Sequence, residues 1–266
     1  MSDVGPLLQH WRKSRRLSQL ALAAEAAVSI RHLCFVETGR ARPSRTMVLR
    51  LAEALDVPLR ERNTLLLAAG FAPAYRESPL DAPALEAVRN ALDAILAQQE
   101  PYPAVVMDRG WDLRYTNAAA TRFFGFLQAG HDASPPGPAN VLRMMFHPDG
   151  VRRHVTNWPD VSEALVRRVR RESVGGVTDE RAHRILAEIL AYPGVPSSLA
   201  SLDLTAPLLP IVPVSFERDG RRFDFFSTVT TLGTPQDVTL QELRIECFFP
   251  ADHATTTEAH KLAGDE

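Results

Sequence analysis

Cysteine is nearly absent from this chain: Cys34 and Cys247 are its only two. They lie far apart and without metal-ligand spacing, so a disulfide-stapled fold or zinc site is not expected, and both read as idle thiols of a reducing compartment. Long apolar runs are missing too. No stretch of 18 apolar residues exists, which argues against a membrane-spanning helix. The N-terminal MSDVGPLLQHWRKSRR lacks the apolar core of a secretory signal. The expected location is the cytoplasm. Catalytic signatures are also wanting. There is no GxSxG, no Walker loop and no HExxH, and the eight histidines are scattered. No enzyme is expected, and no cofactor is required.

What is present is 266 residues, 45% of them hydrophobic, enough for two modest cores. The net charge of −2 hides an asymmetry. Residues 1–75 hold 11 basic and 6 acidic residues, a surplus of +5, and the remainder holds 19 basic and 26 acidic, a deficit of −7. A basic head on an acidic body fits an N-terminal domain that binds a polyanion.

The head reads as five short helices. Ser18, Ser29 and Ser44 are placed as N-caps, and Met47, Val48, Leu51, Ala52 and Leu55 follow the third of them at i, i+3, i+4 spacing. Two short helices joined by a tight turn make a helix-turn-helix candidate, with Leu20, Ala23, Ala24, Val28, Ile30 and Leu33 expected to set their angle. Residues 1–72 form this domain, and the Pro- and Gly-rich 73–83 reads as a linker. Residues 84–256 read as an α+β domain with an antiparallel sheet. It opens with a helix to Gln99, then a strand, a tight turn, a strand and a short helix from Ala118. The loop HDASPPGPAN (131–140) and two helices follow. A hairpin turns at Asp219-Gly220, a favoured two-residue turn, and a last strand spans 242–250. Residues 257–266 read as a polar tail.

LSQLALAAEAAVS (17–29), VETGRARPS (36–44) and LRLAEALDVP (49–58) together resemble the XRE family of Cro-type, lambda-repressor-like DNA-binding domains. One departure is Ala27, at a turn position usually taken by Gly. The partner this implies is double-stranded DNA. Gln19 is expected to reach a phosphate or brace the first recognition residue. Ser29, Ile30, Arg31 and His32 lie at the leading end of that helix, Arg31 and His32 as the base-edge candidates. Arg40, Arg42 and Arg45 follow it and are expected on phosphates. Glu37 reads as structural, paired with a nearby arginine. A two-fold homodimer would double the short site.

MDRGWDLRYTNAAATRFFGF (107–126) looks like the opening of a PAS-type sensor domain. With NVLRMMFHPDG, VTNWPDV and ELRIECFFPADHAT, the chain resembles the MmyB-like transcription regulators over residues 7 to 256. That resemblance implies a PAS-like domain binding a small apolar ligand, with fatty acids the suggested class. Phe123, Met144, Phe146, Trp158 and Phe225 are candidate walls, with core packing the default reading of each. Asn117, Arg143 and Asn157 are candidate polar groups. Arg143 needs a partner, and a ligand carboxylate or a salt bridge to Asp149 or Glu246 would each serve. Asn117 is equally placed to cap the helix at Ala118. RRVRR (167–171) reads as a solvated helix face. Two other readings stay open: a haem or flavin redox sensor, with His147 or His154 as axial ligand, and a second domain that only dimerises or binds a protein.

Overall fold

The computed structural model describes residues 4–130, 139–173, 180–203, 211 and 213–264. Most of the expected loop 131–140 lies outside these residues. The chain divides into two units: one comprises the residues up to 79 together with 234–241, and the other the remaining described chain from residue 80.

In the first unit, Ser18, Ser29 and Ser44 sit in extended backbone and accept hydrogen bonds from the N–H three residues on, at 3.0, 3.2 and 3.2 Å. Each satisfies a donor that the first helical turn would otherwise leave orphaned. These caps start α2 (Gln19–Glu25), α3 (Ile30–Glu37) and α4 (Arg45–Ala54), with α1 (Val4–Ser14) before them and α5 (Leu59–Ala68) after. Leu8, Trp11, Leu22, Leu33, Val48, Leu51 and Leu66 meet in one core, each exposed by 1% or less. Burying each such side chain contributes about 1.5–3 kcal/mol. Leu20 and Ile30, expected in the packing, are instead 66% and 46% exposed. Leu22 and Leu33 hold the inward positions, and the helical period turns Leu20 and Ile30 outward.

Pro58 offers α5 no side-chain cap. The chain supplies one from far away: Leu59 N donates to Gln241 Oε1 at 2.6 Å. Val238 N donates to the Arg76 carbonyl at 2.8 Å, and the Asp237 carboxylate accepts from Ser78 N. Part of the expected linker, residues 74–78, is therefore hydrogen-bonded structure, to residues 237–238 and, through Ala74 and Tyr75, to Asn63.

The second unit begins with α6 (Glu86–Gln98) and is built on a five-stranded antiparallel sheet. Its strands are β1 (Ala104–Met107), β2 (Leu113–Thr116), β3 (Val214–Arg218), β4 (Arg221–Thr230) and β5 (Arg244–Pro250), in the order β2-β1-β5-β4-β3. Its helices are α7 (Ala118–Gln128), α8 (Val141–Phe146), α9 (Trp158–Ser173), α10 (Glu180–Leu190) and α12 (His253–Ala263), whereas the short α11 (Val238–Glu242), which follows β4 in sequence, falls in the first unit up to Gln241. The β3–β4 turn places Asp219 at φ 52° and Gly220 at φ 73°, the positive-φ pair a tight hairpin requires. Phe123 is the hub of the core, with Phe124, Phe216, Phe223 and Phe225 edge-on at 5.2–5.4 Å. Residues 257–263, read from sequence as tail, form most of α12. Asp252 caps that helix, and Thr255 and Ala259 are buried beneath it, a pairing too sparse to register as an apolar stripe.

Candidate functional site

The first candidate surface is the leading face of α3. The chain bends by 116° between α2 and α3, inside the roughly 90–120° range of helix-turn-helix pairs. Ala27 makes the turn at φ 53°, a left-handed conformation that explains why Gly is usual at this position. What fixes the angle is a buried ionic network. Arg12 Nε and Nη2 donate to the two Glu37 oxygens at 2.7 and 2.8 Å, and Gln19 Nε2 donates to Glu37 Oε2 at 2.8 Å. The Glu37 side chain is fully buried. Burial pushes its carboxyl up, but the hydrogen bonds from Arg12 and Gln19 outweigh that and hold it below the ordinary value of 4.5. One carboxylate thus ties α1, α2 and α3 together, and Gln19 bonds to Glu37, the last residue of α3, rather than to the leading end of that helix. Gly5 lets α1 approach closely, since a Cβ there would stand 2.5 Å from the Val36 carbonyl oxygen.

Ser29, Ile30, Arg31, His32, Arg40, Arg42 and Arg45 are all exposed. Among the described residues, Arg31, Arg40, Arg42 and Arg45 have no ion-pair partner. Arg31 lies over the Phe35 ring at 5.5 Å, which restricts its reach without neutralising it. The N-terminus of α3 adds unpaired N–H groups and a positive dipole end. The surface therefore offers donors and positive charge to a polyanion.

The second candidate is a cavity of about 220 Å³ inside the second unit. Its walls are mostly apolar. From the sheet come Val105, Phe216 and Phe248, and from the helices Phe124, Met144, Met145, Val161 and Leu165. α9 contributes Val161, Ala164, Leu165 and Arg168, spaced i, i+3, i+4, i+7, so one helical stripe lines the cavity and ends in a guanidinium. Trp111 also lines it, at φ 64° and 1% exposure. A bulky residue in that backbone conformation is a strained outlier of the kind that concentrates at functional positions.

The polar groups of the lining sit together. Arg168 Nη1 donates to Glu246 Oε2 at 3.1 Å, and Ser227 Oγ donates to Glu246 Oε1 at 2.6 Å. Behind them Arg168 Nε donates to Glu172 at 3.2 Å, and Arg244 Nη1 donates to the same carboxylate at 2.8 Å. Burial pulls the Arg244 guanidinium below its usual value, against the attraction of Glu172. The Arg168 guanidinium lies 4.4 Å from the Trp111 ring centre, a cation–π contact. Its Nη2 is buried and has no hydrogen-bond partner among the described residues.

Of the residues expected to contact a ligand, Met144 lines this cavity and the others do different work. Phe123 and Phe225 fill the aromatic core. Phe146 packs edge-on against Trp158 at 4.9 Å. Asn117 caps α7, accepting from Ala120 N at 2.8 Å, and donates to the Tyr102 carbonyl. Asn157 pins the start of β3 through Pro213 and Ser215. Arg143 makes a bidentate pair with Glu188 at 2.7 and 2.8 Å. The hydrogen bond from Arg143 holds Glu188 low, while burial and Glu188 push Tyr192 up to about 12. Arg143 therefore has its partner within the protein, and that partner is neither Asp149 nor Glu246. The RRVRR run is not a solvated face either. Arg167 is 6% exposed and donates to the Asp203 carbonyl, Arg170 donates to those of Leu199 and Ala200, and Arg168 lines the cavity. His147 and His154, the haem candidates, do not line it.

A sequence model of a helix-turn-helix domain matches residues 3–65. A model of the ligand-binding domain of MmyB-like transcription regulators matches residues 88–262. No curated protein is similar enough to count as a relative. Among solved structures, an RNA-binding light-oxygen-voltage receptor aligns with 99% of this chain at 13% identity and a TM-score of 0.29, and the chain spans 63% of that structure's length.

Proposed function

We propose a function from the premise that this chain belongs to the MmyB-like transcription regulators: a sequence-specific regulator whose second, PAS-like unit holds an acyl-chain ligand, a fatty acid or a derivative of one. The DNA-binding head and the ligand-binding domain are the family's two parts. The observation that carries the finer reading is the cavity, about 220 Å³ of mostly apolar wall with its polar lining groups gathered in one cluster. Binding sites of this kind combine an apolar enclosure with a few placed polar groups. An engineered apolar cavity of about 150 Å³ holds benzene, so this one suits a chain of medium length.

The regulator acts in the cytoplasm as a homodimer, because one recognition helix reads a short site and a two-fold pair doubles it. Ligand binding shifts the balance between arrangements that do and do not match two half-sites. Native mass spectrometry of the purified chain, followed by solvent extraction, tests the ligand reading. A mass excess released as an acyl compound is the expected result. A chain that carries no ligand and gains none when incubated with decanoate or methyl decanoate contradicts it.

A further inference from the structure

We infer that residues 234–241, the middle of the connection between β4 and β5, are the element through which the state of the cavity reaches the DNA-binding head. The inference rests on the reading of the chain as a ligand-governed regulator and specifies its internal route.

The segment joins two strands of the sheet, yet it is built into the first unit. The buried Asp237 carboxylate accepts from Ser78 N at 3.2 and 3.3 Å and from Thr239 N at 2.9 Å. Val238 N donates to the Arg76 carbonyl at 2.8 Å, and Gln241 supplies the cap that α5 lacks, at 2.6 Å. Val238 and Leu240 are buried beside these bonds. Connecting segments ordinarily run solvated over the surface. This one buries a carboxylate, which is tolerable only while its hydrogen bonds are kept. The head is therefore finished by residues that lie more than 150 positions beyond its own helices.

The return into the sheet is short and held at each step. Glu242 faces Arg109 at 3.5 Å, and Leu243 is fully buried. Arg244 pairs with Met107 and donates to Glu172 at 2.8 Å. The same Glu172 accepts from Arg168, which lines the cavity and donates to Glu246 at 3.1 Å. Residues 241–246, QELRIE, contain neither Gly nor Pro, so they offer no ready joint. The entry side differs, since Thr231, Gly233 and Thr234 are exposed. It has room to yield when the other side is displaced. A shift in the Arg168–Glu172–Arg244 pairing on filling of the cavity thus moves Gln241 and Asp237, and with them the start of α5 and residues 74–78. Packed and hydrogen-bonded groups of this kind are the physical carriers of coupling between distant sites.

Residue-resolved amide hydrogen exchange of the full chain tests the inference. Gln241→Ala should speed exchange at Leu59 by about five- to ten-fold, the loss of one helix cap. Gln241→Glu keeps an acceptor at the positive end of α5 and should restore protection. Glu172→Gln, made in the sheet unit, should speed exchange at Leu59 and Ser78 by about two-fold or more, while Met47, capped by Ser44, stays unchanged. Arg244→Gln cuts the same pair from its other side and serves if Glu172→Gln does not fold. Unaltered Leu59 and Ser78 amides overturn the inference. So does an equal rise at Met47, which would report general loosening of the head. Saturation with methyl decanoate should shift the same two amides and spare Met47. Bound ester with no shift overturns the inference and leaves the ligand reading standing. An ester that does not bind counts against the ligand reading alone, and the Glu172→Gln comparison then decides the inference.

Discussion

Single residues carry the sharpest consequences of this architecture. Ala27 holds φ 53° in the helix-turn-helix turn, a conformation that costs an L-residue about 1–2 kcal/mol. Glycine removes that strain and adds its own greater flexibility when unfolded, at about 0.5–1 kcal/mol. Ala27→Gly should therefore stabilise the head by roughly 0.5–1 kcal/mol, seen as a higher denaturant midpoint at constant slope. An unchanged or lower midpoint would show that the turn is not strained. The exposed arginines divide by position. Arg31→Ala should cost about 1–3 kcal/mol on a selected DNA site and relax one base position, whereas Arg40→Ala should weaken all sequences alike and lower the salt slope by about one. Binding selections on random duplex pools, run at several salt concentrations, separate the two behaviours. A uniform loss for Arg31→Ala would make it a phosphate contact.

At the scale of elements, a buried ionic cluster organises the helices of the head. The Glu37 carboxylate joins α1, α2 and α3 and is held below 4.5 by Arg12 and Gln19 against the effect of burial. A carboxyl lowered in the folded state stabilises above its unfolded value, and that contribution is lost as pH falls through the folded value. Glu37→Gln should cost about 3 kcal/mol near neutral pH, since it leaves Arg12 buried beside a neutral group. The gap between wild type and variant should shrink as pH drops below 4.5, and thermal unfolding at stepped pH measures it. A gap that does not change with pH would mean that Glu37 is not ionised in the folded head.

Much of this level was legible in the sequence, because local chemistry set it. The three serine caps, the turn position at Ala27 and the Asp219-Gly220 hairpin each depend on residues within a few positions. The cavity was not legible in the same way. Arg143 within LRMMF reads as a lone charge in an apolar run, yet Glu188, 45 positions away, satisfies it. Arg168 sat inside a run of arginines that composition alone assigns to solvent. A signal was present, since Val161, Ala164, Leu165 and Arg168 share one helical face. Its meaning depended on Glu246 and Ser227, brought in by strands that pair only in the folded sheet. Gln241 capping α5 from 182 positions away lay beyond any local pattern for the same reason.

At the scale of the whole molecule, the chain combines a basic head, whose exposed arginines await an anion, with an acidic body that encloses an apolar cavity. Neither part explains the other unless occupancy of the cavity changes how the chain binds DNA. Linkage requires that a ligand able to shift DNA affinity is itself bound more or less tightly on DNA, by the same factor. The most direct measurement is the affinity of the full chain for a DNA site selected from a random pool, with and without saturating methyl decanoate. Coupling between the cavity and the head predicts a change of about five-fold or more, the lower bound of ordinary allosteric effects. The same DNA affinity with the cavity demonstrably filled would contradict it.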